Sequence, residues 1–195
     1  MEQTFVMLTI LLITIWRIYW LVTERHADRE KPKTREKPSF FSQEYGKRFM
    51  LFFFGMLFLL QAFFNIARFP LPYYSATPFI GFLLAVVGFV ICIVARRELA
   101  TNWANAWEYQ IKQNHELVTS GIYGLIRHPI YTGIIVGVVG CELVVNSSLF
   151  LPALLIGVWI VYNQAKKEEK LLEKHFGKAY TDYKKRSKML IPFIW

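Results

Sequence analysis

Five stretches of this chain, residues 4–22, 49–67, 78–95, 129–146 and 147–165, are apolar almost without interruption. Each reaches the roughly 18 residues that a helix needs to cross a hydrocarbon core of about 30 Å. Three of them hold no charged side chain, the first holds Arg17 and the fourth holds Glu142. Lipid offers no hydrogen bonds, so a continuous apolar run must satisfy its backbone within itself, which a helix does and a single strand cannot. The expectation is an all-α polytopic membrane protein with five transmembrane helices. Composition agrees: 54% of residues are apolar and 19% charged, against about 45–50% and about 25% in soluble domains. Cys92 and Cys141 both lie inside apolar stretches, which excludes a disulfide framework and a Cys-rich metal fold. The chain reads as one domain over residues 1–195. Its first apolar run reads as a retained span, since Met1-Glu2-Gln3 supplies no basic leader.

Basic residues set the orientation, because loops rich in Lys and Arg stay in the cytoplasm. Residues 23–48 carry eight of them, residues 96–128 four and the tail after Gln164 nine, whereas residues 70–77 and the turn at Asn146 carry none. With Arg17 and Arg68 these make up all 23. Five spans then place the N-terminus outside and the C-terminus in the cytoplasm. The net charge of +9 belongs to one face of a membrane protein and suits anionic headgroups. Nucleic acid is not an expected partner, because Glu24, Asp28, Glu30, Glu36, Glu168, Glu169 and Glu173 interrupt the basic residues. Residues 23–43, charged and holding Pro32 and Pro38, read as a mobile loop.

Two polar segments on that face carry the chemistry. Residues 96–128 are too long for a simple turn and hold His115, Tyr109, Tyr123, Arg127 and His128. They end in Arg127-His128-Pro129-Ile130-Tyr131, where Pro129 suits the first turn of a helix and holds His128 extended. Free N–H groups at that helix mouth are expected to attract an anion. The second segment continues the fifth span through Lys166-Lys167-Glu168-Glu169 to Phe176-Gly177. No breaker intervenes before Gly177, so the helix should carry both glutamates into the layer of His128. The tail closes on an apolar Ile191-Pro192-Phe193-Ile194-Trp195 that suits the headgroup region.

These residues in this order resemble the isoprenylcysteine carboxyl methyltransferase family. The resemblance rests on Arg127-His128-Pro129-Ile130-Tyr131, on Glu168-Glu169 with Leu172, Phe176-Gly177, Tyr180 and Tyr183, and on the approach His115-Glu116-Leu117-Val118-Thr119-Ser120-Gly121-Ile122-Tyr123. It covers about residues 96–194, the half expected to bind the cofactor. Phospholipid N-methyltransferases and, more distantly, sterol-type reductases share the arrangement. The resemblance implies S-adenosylmethionine as methyl donor, with S-adenosylhomocysteine as product. The Gly-rich strand-to-helix turn of soluble methyltransferases is missing, so the donor must be held another way.

His115, Glu116, Leu117, Val118 and Tyr123 are candidates for the adenine slot. Arg127, His128 and the helix terminus at Pro129 suit the donor's carboxylate, and Glu168 with Tyr131 its ammonium and sulfonium. For the acceptor carboxylate, Arg96 and Arg97 are the favoured cations, with Asn163 and Tyr162 nearby. The implied acceptor is a prenylated cysteine reached from the bilayer; a lipid amine is the alternative, and a nicotinamide-dependent reductase a weaker one. No metal is expected.

Each candidate has a plainer reading. His128 also suits a helix cap, and Glu168 and Glu169 suit surface pairing with the neighbouring lysines. His175 reads as a solvated residue, Tyr180 and Tyr183 as interfacial anchors or ligand contacts, and Arg17 beside Trp16, Tyr19 and Trp20 as interfacial. Glu142 is expected to snorkel toward water at the outer end of its span. Gly133, Gly137 and Gly140 give the fourth span a small-residue face, which permits close helix packing or an opening for a lipid tail.

Overall fold

The computed structural model describes residues 2–29, 55–64, 66, 76–100 and 116–194. Among these the chain is helical: α1 is Glu2–Arg29, α2 is Gly55–Phe64, α3 is Thr77–Leu99, α4 is Pro129–Val144, α5 is Phe150–Phe176 and α6 is Lys178–Arg186. A short 3-10 turn covers Gly121–Gly124. Among the described residues no strand forms, and one isolated parallel bridge joins Ile126 to Lys188. The all-helical expectation therefore holds. Two helices, over Gln3–Arg25 and Thr77–Leu99, are long and apolar enough to cross a membrane, and Gly55–Phe64 and Pro129–Val144 are shorter apolar helices. Most of the charged loop at residues 23–43, and His115, lie outside the described residues.

Helix bounds follow local chemistry. Pro129 opens α4 as the sequence requires, because its missing N–H costs nothing there. The fourth and fifth helices stop and start inside their expected spans. Asn146 takes a left-handed conformation, φ 49°, and the chain turns through Ser147, whose N–H donates to the Glu142 carbonyl at 2.9 Å. α5 runs unbroken from Phe150 to Phe176 and carries Glu168 and Glu169 beyond its apolar part. It ends where Gly177 adopts φ 53°, a conformation that costs glycine little.

The described residues gather into two compact units, one over Met1–Leu83 with Gly140–Phe150, the other over Leu84–Val139 with Leu151–Trp195. In the first, Phe5 packs edge-on against Phe79 at 5.8 Å and, tilted, against Phe82 at 5.9 Å. Here Glu142 departs from expectation. It is 6% exposed and accepts a hydrogen bond from Gln61 Nε2 at 3.1 Å, and the same amide donates to Ser147 Oγ at 3.0 Å. A buried polar group needs a hydrogen-bond partner, and the Gln61 amide gives Glu142 an inward one in place of water.

In the second unit α3 and α4 touch backbone to backbone. A Cβ on Gly88 would fall 2.5 Å from the Gly133 carbonyl oxygen, and one on Gly133 would meet the Gly88 oxygen at 2.6 Å and Cys92 Sγ at 2.7 Å. The small-residue face of the fourth span is thus a helix crossing. The opening for a lipid tail is not at Gly133, because α3 fills it. At the same level of α4, Val161 and Ala165 of α5 form a buried cluster with Met189 and Leu190, and Tyr131, Ile135 and Tyr162 pack against it.

Candidate functional site

The polar residues of the second unit converge where α4 begins and α5 leaves its apolar stretch. One turn of helix separates neighbours on a face, so Tyr131 and His128 share the mouth of α4, with their rings stacked at 5.5 Å. Glu168 and Glu169 are adjacent on α5 and reach both sides of His128. The Tyr131 hydroxyl donates to Glu168 Oε1. His128 Nδ1 lies 3.4 Å from Glu168 Oε2, and His128 Nε2 lies 3.6 Å from Glu169 Oε1.

Arg127 closes the arrangement on the far side. Its Nε donates to Glu169 Oε1 at 2.7 Å, and its Nη1 to the carbonyls of Ser187 at 2.5 Å and Lys184 at 3.4 Å. Lys184 Nζ stands 3.5 Å from Glu169 Oε2 and 2.7 Å from Glu173 Oε1. Glu169 is therefore ringed by three cationic or protonatable groups while only 2% exposed. Burial pushes its pKa up, but the contacts of His128 and Arg127 outweigh burial and bring it down to about 2. For His128, burial disfavours the charged form, and the two glutamates outweigh it and raise the pKa above the ordinary imidazole value. The sequence singled out Glu168 for donor binding; the structure makes Glu169 the more deeply placed, with Glu168 at its side and 21% exposed.

Two backbone N–H groups beside the helix mouth are committed to the chain's own carbonyls. The His128 N–H donates to the Met189 carbonyl at 3.1 Å and the Arg127 N–H to the Lys188 carbonyl at 2.8 Å, while the Lys188 N–H returns a bond to Leu125 at 3.1 Å. Thr132 Oγ1 adds a bond to the Leu190 carbonyl at 2.7 Å. Residues 187–190 thus form a strap beside the start of α4, taking up the N–H of its capping residue His128 and that of Arg127 just before it. Little in the local composition announces such a strap. Its signals are the apolar pair Met189-Leu190 directly after a basic helix, and the three-residue spacing of Tyr180 and Tyr183.

Those two tyrosines are buried, 1% and 3% exposed, and are not interfacial anchors, because the inner face of α6 packs them into the site. The Tyr183 hydroxyl donates to the Tyr123 carbonyl at 2.6 Å, and this tie holds the 3-10 turn to α6. Burial raises the Tyr183 pKa to about 12 and lifts Tyr180 and Tyr123 well above the ordinary phenol value. The Tyr180 hydroxyl is buried without a hydrogen-bond partner among the described residues.

The remaining candidates divide. Glu116, Leu117 and Val118 form an extended approach to Tyr123, Glu116 exposed and the two apolar residues half-buried. Gly121, at the start of the turn, has φ 55°, and a Cβ there would strike the Glu98 carboxylate at 2.5 Å. Arg96 is 5% exposed and donates to the Ala100 carbonyl at 3.1 Å; its charge also acts on Tyr123. Arg97 is exposed. Asn163 is exposed and donates back to the Trp159 carbonyl of its own helix at 2.7 Å, so the structure does not bring it to the cluster. Among the described residues no group of His, Cys, Asp and Glu is disposed to hold a metal ion.

The chain matches the profile of the phospholipid methyltransferase family over residues 76–179. It is similar to the protein-S-isoprenylcysteine O-methyltransferase of Homo sapiens, 30% identical over 58% of this chain and 40% of that one. The enzyme of the same name from Tribolium castaneum is 29% identical over 59% of this chain and 41% of its own. A relative from Oryza sativa is matched over 64% of its length, so the chain spans less than two thirds of these relatives. Its fold is similar to that of the eukaryotic intramembrane Ras methyltransferase, an isoprenylcysteine carboxyl methyltransferase, with a TM-score of 0.61 at 23% identity over 78% of this chain and 54% of that one.

Proposed function

The chain belongs to the phospholipid methyltransferase family, and from that premise we propose that it is a multi-pass membrane methyltransferase that esterifies the C-terminal carboxylate of a prenylated cysteine. We read it as a single domain with five spans, N-terminus outside and both polar segments in the cytoplasm. The observation that carries the reading is the cluster of His128, Tyr131, Glu168 and Glu169 at the junction of apolar helices and polar face, which is where a soluble donor and a lipid acceptor have to meet. Methyltransferase relatives that act on isoprenylcysteine, by their names, support the acceptor class.

S-adenosylmethionine fits the side chains gathered here: a partly exposed carboxylate at Glu168, the aromatic face of Tyr131 for a sulfonium, an imidazole at His128 and an apolar approach through Leu117 and Val118. When bound it supplies the methyl group. Glu168 and His128 would hold its amino-acid end, and Glu116, Leu117, Val118 and Tyr123 its adenine. Arg127 acts through Glu169 and the strap, since its donors are committed there. The acceptor carboxylate is already ionised, so these residues need supply no general base. Their contribution is alignment and exclusion of water, which can provide several kcal/mol of the barrier reduction, about 7 or more in well-oriented systems. Arg96, near Tyr123, is the candidate cation for the acceptor.

Methylation of a lipid amine is the second reading, and the family's own description favours it. It would require a proton acceptor, and Glu168 or His128 is placed for that. Purified protein is tested by calorimetry with S-adenosylhomocysteine and with NADPH, then by methyl transfer to N-acetyl-S-farnesylcysteine and to phosphatidylethanolamine. The expected result is binding of S-adenosylhomocysteine and methylation of the farnesylated acceptor. Binding of NADPH alone would overturn the reading. For the topology, an impermeant thiol reagent should label a cysteine placed at Ser75 from outside and miss one at Lys178.

A further inference from the structure

Residues 187–194 do two things at once. Their backbone carbonyls at Lys188 and Met189 take the N–H groups of Arg127 and His128. Their side chains beyond Leu190 point away from the protein: Ile191 is 45% exposed, Phe193 83% and Ile194 76%. Just before them stand Lys185, Arg186 and Lys188, all exposed.

The depth of this segment follows from its contacts. Leu190 accepts from Thr132 of α4 and shares a cluster with Val161 and Ala165, against which Ile135 packs. Ile135 lies six residues inside α4, about 9 Å below its first residue at 1.5 Å per residue. The tail therefore leaves the polar layer, turns back and reaches the apolar part of α4 and α5. Large apolar side chains exposed directly after Leu190 suit acyl chains, and cations a few residues earlier suit headgroups, which is the pattern of an interfacial anchor. Asp182 lies 2.8 Å from Lys185 Nζ and offsets part of the charge; Arg186 and Lys188 remain.

We propose that residues 185–194 are a docking element for the anionic surface of the bilayer, and that seating it there holds the strap on Arg127 and His128 and so tightens the donor site. The ligand is an anionic phospholipid headgroup with its acyl chains. The coupling half of this proposal rests on the donor-binding reading above; the docking half does not.

The test uses full-length protein in vesicles of phosphatidylcholine alone and of equal parts phosphatidylcholine and phosphatidylglycerol. An environment-sensitive dye on Ile194→Cys reports seating directly, since Cys92 and Cys141 are buried. Calorimetry with S-adenosylhomocysteine reports the site. The dye should shift to the blue in the anionic vesicles, and the affinity should rise about tenfold, equivalent to about 1.4 kcal/mol. Lys185→Ser with Arg186→Ser should abolish both changes and keep the affinity measured in neutral vesicles. Identical dye emission in the two membranes, or a shift that survives the double substitution, overturns the docking. A dye shift with unchanged affinity overturns the coupling. Absence of S-adenosylhomocysteine binding in every membrane overturns the donor-binding reading and with it the coupling, and the dye alone then decides the docking.

Discussion

Two glutamates are buried among the described residues, and their surroundings have opposite character. Glu169 sits among Arg127, His128 and Lys184. Glu142 accepts from the neutral Gln61 amide, which Ser147 shares. The first is a carboxylate held ionised inside a network of charges, where removal of one member exposes the rest. The second ties a helix to a turn with one acceptor and one amide. A buried acid therefore does not mark a site by burial alone; the charges turned toward it do.

Breaking the first cluster should cost most. Arg127→Met leaves Glu169 buried without its shortest ion pair, and uncompensated buried charge costs roughly 3–5 kcal/mol. The expected result is a large fall in the thermal midpoint of detergent-solubilised protein, together with loss of donor binding as the strap detaches. A midpoint within a degree or so of the parent would show that the pair is dispensable.

His128→Ala and Glu168→Ala act on the site more than on the fold. Each removes a charge-assisted contact worth roughly 1.5–3 kcal/mol, so affinity for S-adenosylhomocysteine should fall by about one to two decades. Unchanged affinity in His128→Ala would leave that residue as a helix cap.

Acidity and alkalinity should attack the same cluster from two sides. Glu169 is ordinarily near 4.5 and is held at about 2 in the fold. Its contribution is complete above the ordinary value and is lost as pH falls from there through about 2. His128 is raised above 6.5, so its contribution is complete below 6.5 and lost as pH rises through its folded value. Thermal unfolding followed against pH should show both flanks, and Glu142→Gln should leave them in place. That substitution is the mildest: the Gln61 bond keeps its acceptor, the expected loss is about 1 kcal/mol, and donor affinity should be unaltered. A tenfold loss of affinity would erase the contrast between the clusters.

Much of this architecture is legible in the residues themselves. Apolar runs and Pro129 locate the helices, and the unbroken stretch from Tyr162 to Gly177 carries Glu168 and Glu169 beyond the apolar part of α5, toward the layer of His128. Long-range pairing is not legible. Gln61 lies 81 positions from Glu142, and no local signal says that an amide will turn a carboxylate inward. Likewise Met189 sits 61 positions beyond His128 in the chain, and the backbone bond between them carries no side-chain signature. At the N-terminus of α4 the N–H of His128 has no local partner in the sequence; a remote carbonyl supplies one.

The contact between Gly88 and Gly133 fixes how the second unit can deform. A Cβ at either glycine would strike the opposing backbone, and Cys92 and Phe89 already lie against Gly133 and Gly137, so the crossing leaves little slack for α3 to slide along α4 by one residue, about 1.5 Å. Motion at the mouth of α4 is then left to parts held by hydrogen bonds rather than by close helix packing: the turn tied by Tyr183 and the strap tied at Lys188, Met189 and Leu190. The unit is a stiff frame with a soft rim, and its kinetics of entry and release belong to the rim.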